Sequence, residues 1–109
     1  MNFWGPSCVP CRDEFPLFAD RLAAREADGL AIVGVLHLDE PESARAFVAE
    51  YGGSWPTVVD PGRSIATAYR VAARPQTYFV DRDGILRSIQ IGEVTGPDFD
   101  RQLDAIVGP

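Results

Sequence analysis

Lysine is absent from this 109-residue chain, and all ten basic residues are arginine. No lysine nucleophile or Schiff base is therefore available. Histidine occurs once, as His37, which excludes any triad or metal cluster that needs two histidines. Positive charge is scarce overall. The formal net charge is −6, so no basic patch could neutralise many phosphates, and nucleic acid is not an expected partner. Long apolar runs are missing as well. The longest, Leu30–Leu38, is broken by Gly34 and His37 and is far shorter than the roughly 20 residues that span a bilayer. No basic–apolar–small segment opens the chain, so no signal peptide is expected within it. The two cysteines are too few for a disulfide-dense scaffold.

What is present is the composition of a globule. Hydrophobic residues make up 46% and aromatics 10%, which excludes disorder and suffices for one core. Residues 1–109 are expected to form one domain.

Apolar spacing gives the elements. Met1–Trp4 reads as the end of a strand. From Pro10 the period becomes helical, with Phe15, Phe18 and Leu22 on one face and Gly29 as the stop. Leu30–Leu38 reads as a strand covered on both faces. Pro41 opens a second helix with Ala44, Phe47, Val48 and Tyr51 as its inner stripe and Gly52 at its end. Thr57–Asp60 reads as a short strand and Ser64–Tyr69 as a short helix. Thr77–Val80 and Ile85–Ile91 read as a hairpin turning at Asp81-Arg82-Asp83-Gly84. Pro97 opens a last helix with Phe99, Leu103 and Ile106 inward. The order β-α-β-α-β-α-β-β-α implies an α/β fold with a mixed central sheet flanked by helices.

Cys8-Val9-Pro10-Cys11 lies between the first strand and the first helix. The thiolate is the reactive form of cysteine, and a helix N-terminus stabilises negative charge. Cys8 is then the outer nucleophile. Cys11, one turn in, is the resolving thiol. A disulfide closing so short a loop would add little stability, so a structural staple is a poor reading. The other readings are half of a metal site or two inert core cysteines. Zinc takes about four ligands, and the chain offers two thiols and one distant histidine, so no metal or other cofactor is expected. Asp39-Glu40-Glu42 reads as acidic bias at a helix start, and His37 as a structural histidine with its hydrogen bonds met.

The segment Asn2-Phe3-Trp4-Gly5-Pro6-Ser7-Cys8-Val9-Pro10-Cys11-Arg12-Asp13-Glu14-Phe15-Pro16 resembles the active-site region of thioredoxin-like thiol–disulfide oxidoreductases of the TlpA/ResA/DsbE type. A second block, Arg74-Pro75-Gln76-Thr77-Tyr78-Phe79-Val80-Asp81-Arg82-Asp83-Gly84, resembles that family's Pro-x-Thr-aromatic run. Trp55-Pro56 and Asp60 fall between them where the family has a similar proline and aspartate. The resemblance implies a thioredoxin-like fold and an enzyme exchanging Cys8–Cys11 with protein thiols or disulfides. It further implies a place outside the cytoplasm and substrates such as apocytochrome c thiols. Family members carry several tens of residues before the motif, so the chain is expected to be a core truncated at its N-terminus relative to them. A monomer is expected, and the upstream electron donor is not legible.

Carried over residue by residue, the resemblance makes Pro75 a cis-proline beside the cysteines, with neighbouring backbone that pairs with substrate. Pro16 matches a helix-kinking proline. Trp4, Val9, Pro10 and Arg74 join Pro75 as residues expected to meet substrate, with a core aromatic as the other reading of Trp4. Where thioredoxin has a buried aspartate this chain has Asn2, which cannot titrate. The TlpA/ResA type has a glutamate at the place of Glu14, expected either to take the Cys11 proton or to be a solvated helix charge. Arg74 is expected near Cys8, where a guanidinium would lower the thiol pKa and make the protein more oxidising. Its other reading is solvent, or an acidic partner such as Glu14. The Val9-Pro10 pair carries no basic residue, which points toward a reductant. The competing functions are a metal-binding or interaction module of this fold and a peroxiredoxin-type peroxidase, whose Pro-x-x-x-Thr-x-x-Cys pocket Gly5-Pro6-Ser7-Cys8 does not supply.

Overall fold

The structure, a computed structural model, describes residues 1–109. Strand β1 (Asn2–Trp4) leads through a tight loop into helix α1 (Val9–Arg25). A short 3-10 turn and Gly29, at φ 98°, end that helix. Then follow β2 (Gly34–Leu36), α2 (Pro41–Tyr51), β3 (Thr57–Val58), α3 (Ser64–Ala68), β4 (Gln76–Val80), β5 (Leu86–Ile91) and α4 (Gly96–Val107). The sheet order is β3-β2-β1-β4-β5. β1, β2 and β3 are parallel, β4 runs antiparallel to β1, and β5 runs antiparallel to β4 and so in the direction of the first three. The expected mixed sheet is present, with β1 at its centre.

Strand alternation sorts the core into two layers. Trp4 faces the larger cluster, where Phe15, Phe18 and Leu22 of α1, Phe47 of α2, and Phe99 and Leu103 of α4 meet Phe79 and Trp55. Phe3 faces the other side and packs with Val35, Tyr78 and Ala66 of α3. The i, i+3, i+7 spacing of Phe15, Phe18 and Leu22 is what turns one face of α1 inward. Phe18 stacks on Phe99 with ring centroids 4.9 Å apart.

Three expectations are corrected. The apolar run Leu30–Leu38 forms a ladder only over Gly34–Leu36, opposite the three residues of β1. Leu30 and Ile32 are buried beneath the sheet without strand pairing, and Leu38 turns out of it at φ 57°. Tyr51 is 55% exposed rather than inward; it lies on Phe47, centroids 4.6 Å apart, at the end of α2. The strand expected over Thr57–Asp60 stops at Val58, because Asp60 turns to accept the Ile65 and Ala66 N–H groups, each at 2.9 Å, at the start of α3.

Phe18→Ala is expected to lower unfolding free energy by about 3–5 kcal/mol, as removal of a buried aromatic does. Tyr51→Ala is expected to lower it by about 1 kcal/mol or less, near the range of surface substitutions. Urea denaturation with both variants checks the ranking, and an equal loss would contradict the burial assigned to the two rings.

Candidate functional site

The loop after β1 delivers Cys8 to the N-cap of α1. The Cys8 N–H donates to the Gly5 carbonyl at 3.1 Å, and the Arg12 N–H donates to the Cys8 carbonyl at 3.1 Å. Pro10 sits in the first helical turn, where no N–H is needed. Cys8 and Cys11 are joined in a disulfide, with Cα atoms 5.2 Å apart. The Cys11 N–H donates to Cys8 Sγ at 3.3 Å, the bond a capping oxygen would ordinarily receive. The outer residue is the more accessible: Cys8 is 8% exposed and Cys11 1%. Val9 between them stands out into solvent and Pro10 is half-buried.

Beneath the disulfide lies Glu14, one turn beyond Cys11 on α1. It is 1% exposed. Its Oε2 accepts the Val94 N–H at 2.8 Å, and its Oε1 has no hydrogen-bond partner. Burial raises its pKa to about 7. The Val94 N–H and the Asn2 amide pull the other way, and the charge of Glu93 adds to the rise. The solvated reading of Glu14 is therefore excluded. Asn2, in place of a titrating group, donates its amide to Thr77 Oγ1 at 3.0 Å.

The Arg74–Pro75 peptide bond is cis. Pro75 is buried, and its carbonyl accepts the Gly92 N–H at 2.8 Å. The Arg74 backbone N–H and C=O make no hydrogen bond within the chain. The Arg74 side chain does not reach Glu14. Its Nη1 donates to the His37 carbonyl at 2.7 Å and the Leu38 carbonyl at 3.2 Å, and lies 3.4 Å from Asp39 Oδ2. Its Nη2 donates to Ser7 Oγ at 3.0 Å. Asp39 Oδ2 accepts both the Ser7 N–H at 2.8 Å and the Ser7 hydroxyl at 2.6 Å.

Trp4 takes its core reading rather than the substrate one, and His37 only part of its structural reading. Trp4 is wholly buried, so it has no surface for substrate; its indole N–H donates to Thr57 Oγ1 at 3.3 Å and its ring packs on Phe15. His37 is buried edge-on to Phe3, and its Nδ1 has no partner, so its hydrogen bonds are not all met. Burial, with Arg74 and Arg63 nearby, lowers its pKa. Asp39, read as a helix-start charge, instead binds the loop before Cys8. It went unnoticed because Ser7 and Arg74 are distant in sequence, and the Val94 N–H is a backbone group that no residue type announces.

A model of the AhpC/TSA family matches residues 1–89. The chain is 32% identical over 107 residues to the thiol-disulfide oxidoreductase ResA of Geobacillus kaustophilus, covering 97% of this chain and 61% of that protein. It is 32% identical over 108 residues to the thiol:disulfide interchange protein HelX of Rhodobacter capsulatus, covering 98% and 59%. The chain thus spans about three fifths of the length of these relatives. Among solved structures, a thiol:disulfide interchange protein DsbE from Chlorobium tepidum superposes with a TM-score of 0.89 at 26% identity, over 98% of this chain and 77% of that one. The fold is thioredoxin-like.

The raised pKa of Glu14 makes stability depend on pH. Between the ordinary 4.5 and about 7 the native carboxyl keeps a proton that the unfolded chain has lost. The Glu14 contribution to stability is thus greatest below 4.5, falls by about 3 kcal/mol as pH rises to 7, and levels off above it. Glu14→Gln is expected to remove that slope. Denaturation series of both proteins from pH 4 to 8 check it, and parallel curves would place Glu14 in water.

Proposed function

This chain belongs to the AhpC/TSA family, and we propose that it exchanges a dithiol for a disulfide with protein cysteines through Cys8 and Cys11. The observation that carries this reading is the Cys8–Cys11 disulfide at the start of α1, with a buried carboxyl near neutral pKa one turn below it. In the reduced protein the Cys11 N–H that now meets Cys8 Sγ would stabilise a thiolate there.

The exchange runs in two displacements. The Cys8 thiolate attacks one sulfur of a substrate disulfide, forming a mixed disulfide and releasing the other substrate sulfur as a thiolate. Glu14, ionised, takes the Cys11 proton. The Cys11 thiolate then attacks Cys8 Sγ, closing Cys8–Cys11 and releasing the second substrate sulfur. Two electrons pass to the substrate, and a dithiol donor must return them. The unpaired backbone of Arg74 offers an extended substrate one N–H and one C=O beside Pro75, and Val9 and Pro10 form the accessible rim. The Val9-Pro10 pair favours the reducing direction. The names of ResA and HelX support the same chemistry, and the first-noted resemblance favours a place outside the cytoplasm, with apocytochrome c thiols among the substrates. No helix of the chain is long and apolar enough to cross a membrane. A metal-binding module is less supported, since no three His, Cys, Asp or Glu side chains converge.

Cys8→Ser is expected to abolish disulfide reduction in an insulin turnover assay. Cys11→Ser should accumulate the mixed disulfide, visible by non-reducing electrophoresis and mass spectrometry. Glu14→Gln should slow release of substrate from the mixed disulfide by about a hundredfold, the low end of general base effects, while leaving its formation nearly unchanged. Trapping by Cys8→Ser instead of Cys11→Ser would reverse the assignment, and no turnover by the native protein would sink it.

A further inference from the structure

We infer that Arg74, Asp39 and Ser7 form a charge-neutral clasp that positions the loop entering Cys8 and cancels, at that sulfur, the field of the guanidinium. The inference rests on the reading of Cys8 as the reacting thiol.

The clasp is closed on every side. Ser7 Oγ donates to Asp39 and accepts from Arg74, while the Ser7 N–H also donates to the same Asp39 oxygen. Asp39 Oδ1 accepts the Glu40 N–H at 3.1 Å. The left-handed Leu38 lets two successive carbonyls, of His37 and Leu38, accept from the same Arg74 nitrogen. Four loose segments thus converge on one guanidinium: the loop before Cys8, the end of β2, the start of α2, and the loop ending at Pro75. Gly5 is part of the device. A Cβ there would lie on the Arg74 guanidinium and 2.7 Å from Asp39 Oδ2, so only glycine leaves room for the pair.

Ser7 is covalently next to Cys8 and is held by both charges, so guanidinium and carboxylate flank the same loop residue. Alone, the guanidinium would stabilise a Cys8 thiolate and make the protein more oxidising. Asp39 stands beside it as a counter-charge. Burial raises the Asp39 pKa, but hydrogen bonds from Ser7 and Glu40 and the charge of Arg74 outweigh it, so the carboxyl is held below its usual range and stays ionised at neutral pH. The expectation of a lone cation near Cys8 is therefore replaced by a pair whose fields oppose. The geometry of the loop is retained without its net charge. The other charges around the disulfide are Glu14 and Glu93 below Cys11 and Arg12 over the Phe47 ring, and the neutral His37 lies behind the clasp. Glu14, Glu93 and Arg12 are untouched by the substitutions below, while Arg74→Gln also removes one of the charges that lower the His37 pKa.

The test is the alkylation rate of Cys8 with iodoacetamide against pH, in the reduced full chain with Cys11→Ser throughout. It reads the thiol whether or not the protein turns over any disulfide, so failure of the proposed exchange leaves it standing. Asp39→Asn should unmask the guanidinium and increase the thiolate fraction below the pKa by about threefold, the order expected of a unit charge screened largely by water. Arg74→Gln should unmask the carboxylate and decrease that fraction by a similar factor. The double variant should return near the parent value, and Arg74→Lys, which keeps the charge, should stay near it too. In the two-cysteine protein the reduction potential should rise in Asp39→Asn and fall in Arg74→Gln. A clasp that acted only by holding the loop would shift both single variants in one direction, with the double variant worst. That outcome, or no shift in either, overturns charge cancellation. Circular dichroism of each variant confirms that the fold is intact.

Discussion

The Cys11 N–H reaching Cys8 Sγ at the start of α1 is the contact on which the arrangement depends. It requires that the chain leave β1 at the sheet centre and enter a helix within a few residues. The Gly5 carbonyl, the Pro10 ring and the buried face of α1 each meet one part of that requirement. The aromatic layer of Phe15, Phe18, Phe47 and Trp55 holds the axis of α1, and β1, paired on both sides, holds its origin. A cysteine placed elsewhere on α1 would find its N–H neighbours already used by the helix.

Burial pushes both of the acids near the disulfide upward, yet they end on opposite sides of the usual carboxylate range. Around Glu14 it removes water and pushes a carboxyl up to about 7. The orphaned Oε1 is the atom left for a proton to occupy. Around Asp39 the same desolvation is outweighed by donors, and the carboxyl is held low. The difference lies in depth and donors: Glu14 is buried more deeply and has the Val94 N–H and the Asn2 amide against it, whereas Asp39 has two donors from Ser7, one from Glu40 and the charge of Arg74. Two acids of similar chemistry thus become a proton-holding group and a fixed charge.

Much of the fold was legible because its signals are local. Helical spacing placed α1, α2 and α4, prolines marked their starts, and an Asp-Arg-Asp-Gly turn marked the hairpin. Asp81 confirms the last by accepting the Asp83 and Ile85 N–H groups. The run Leu30–Leu38 misled because apolarity reports burial, not ladder pairing, and Ile32 is buried without a partner strand. Tyr51 misled because periodicity at a helix end continues past the last packed turn. At the site, Cys8 and Cys11 were legible from their spacing at a helix start, and Glu14 from the family resemblance. Ser7, Asp39 and Arg74 were not legible as a unit, since hydrogen bonding between residues 32 and 67 positions apart leaves no pattern in one sequence. Trp4 kept two readings in the sequence because aromatic beside a motif and aromatic beneath it look alike until exposure is known.

The two acids also divide the two sulfurs between them. The Asp39–Arg74 pair touches the loop that carries Cys8 and adds no net charge there. Glu14 lies on the Cys11 side, and the protein surrounds it with apolar groups rather than counter-ions. In the proposed exchange the outer thiol must be a thiolate before substrate arrives, which the helix N-terminus supplies without any titrating neighbour. The inner thiol must lose its proton only after the mixed disulfide forms. A buried carboxyl near neutral pKa suits that step, because it can accept a proton without holding a permanent charge against the Cys8 thiolate. A fixed anion in its place would raise the pKa of both cysteines together, and a fixed cation would lower both. Separate control of the two sulfurs therefore needs one neutralised charge pair above and one titratable acid below, which is the distribution this chain has.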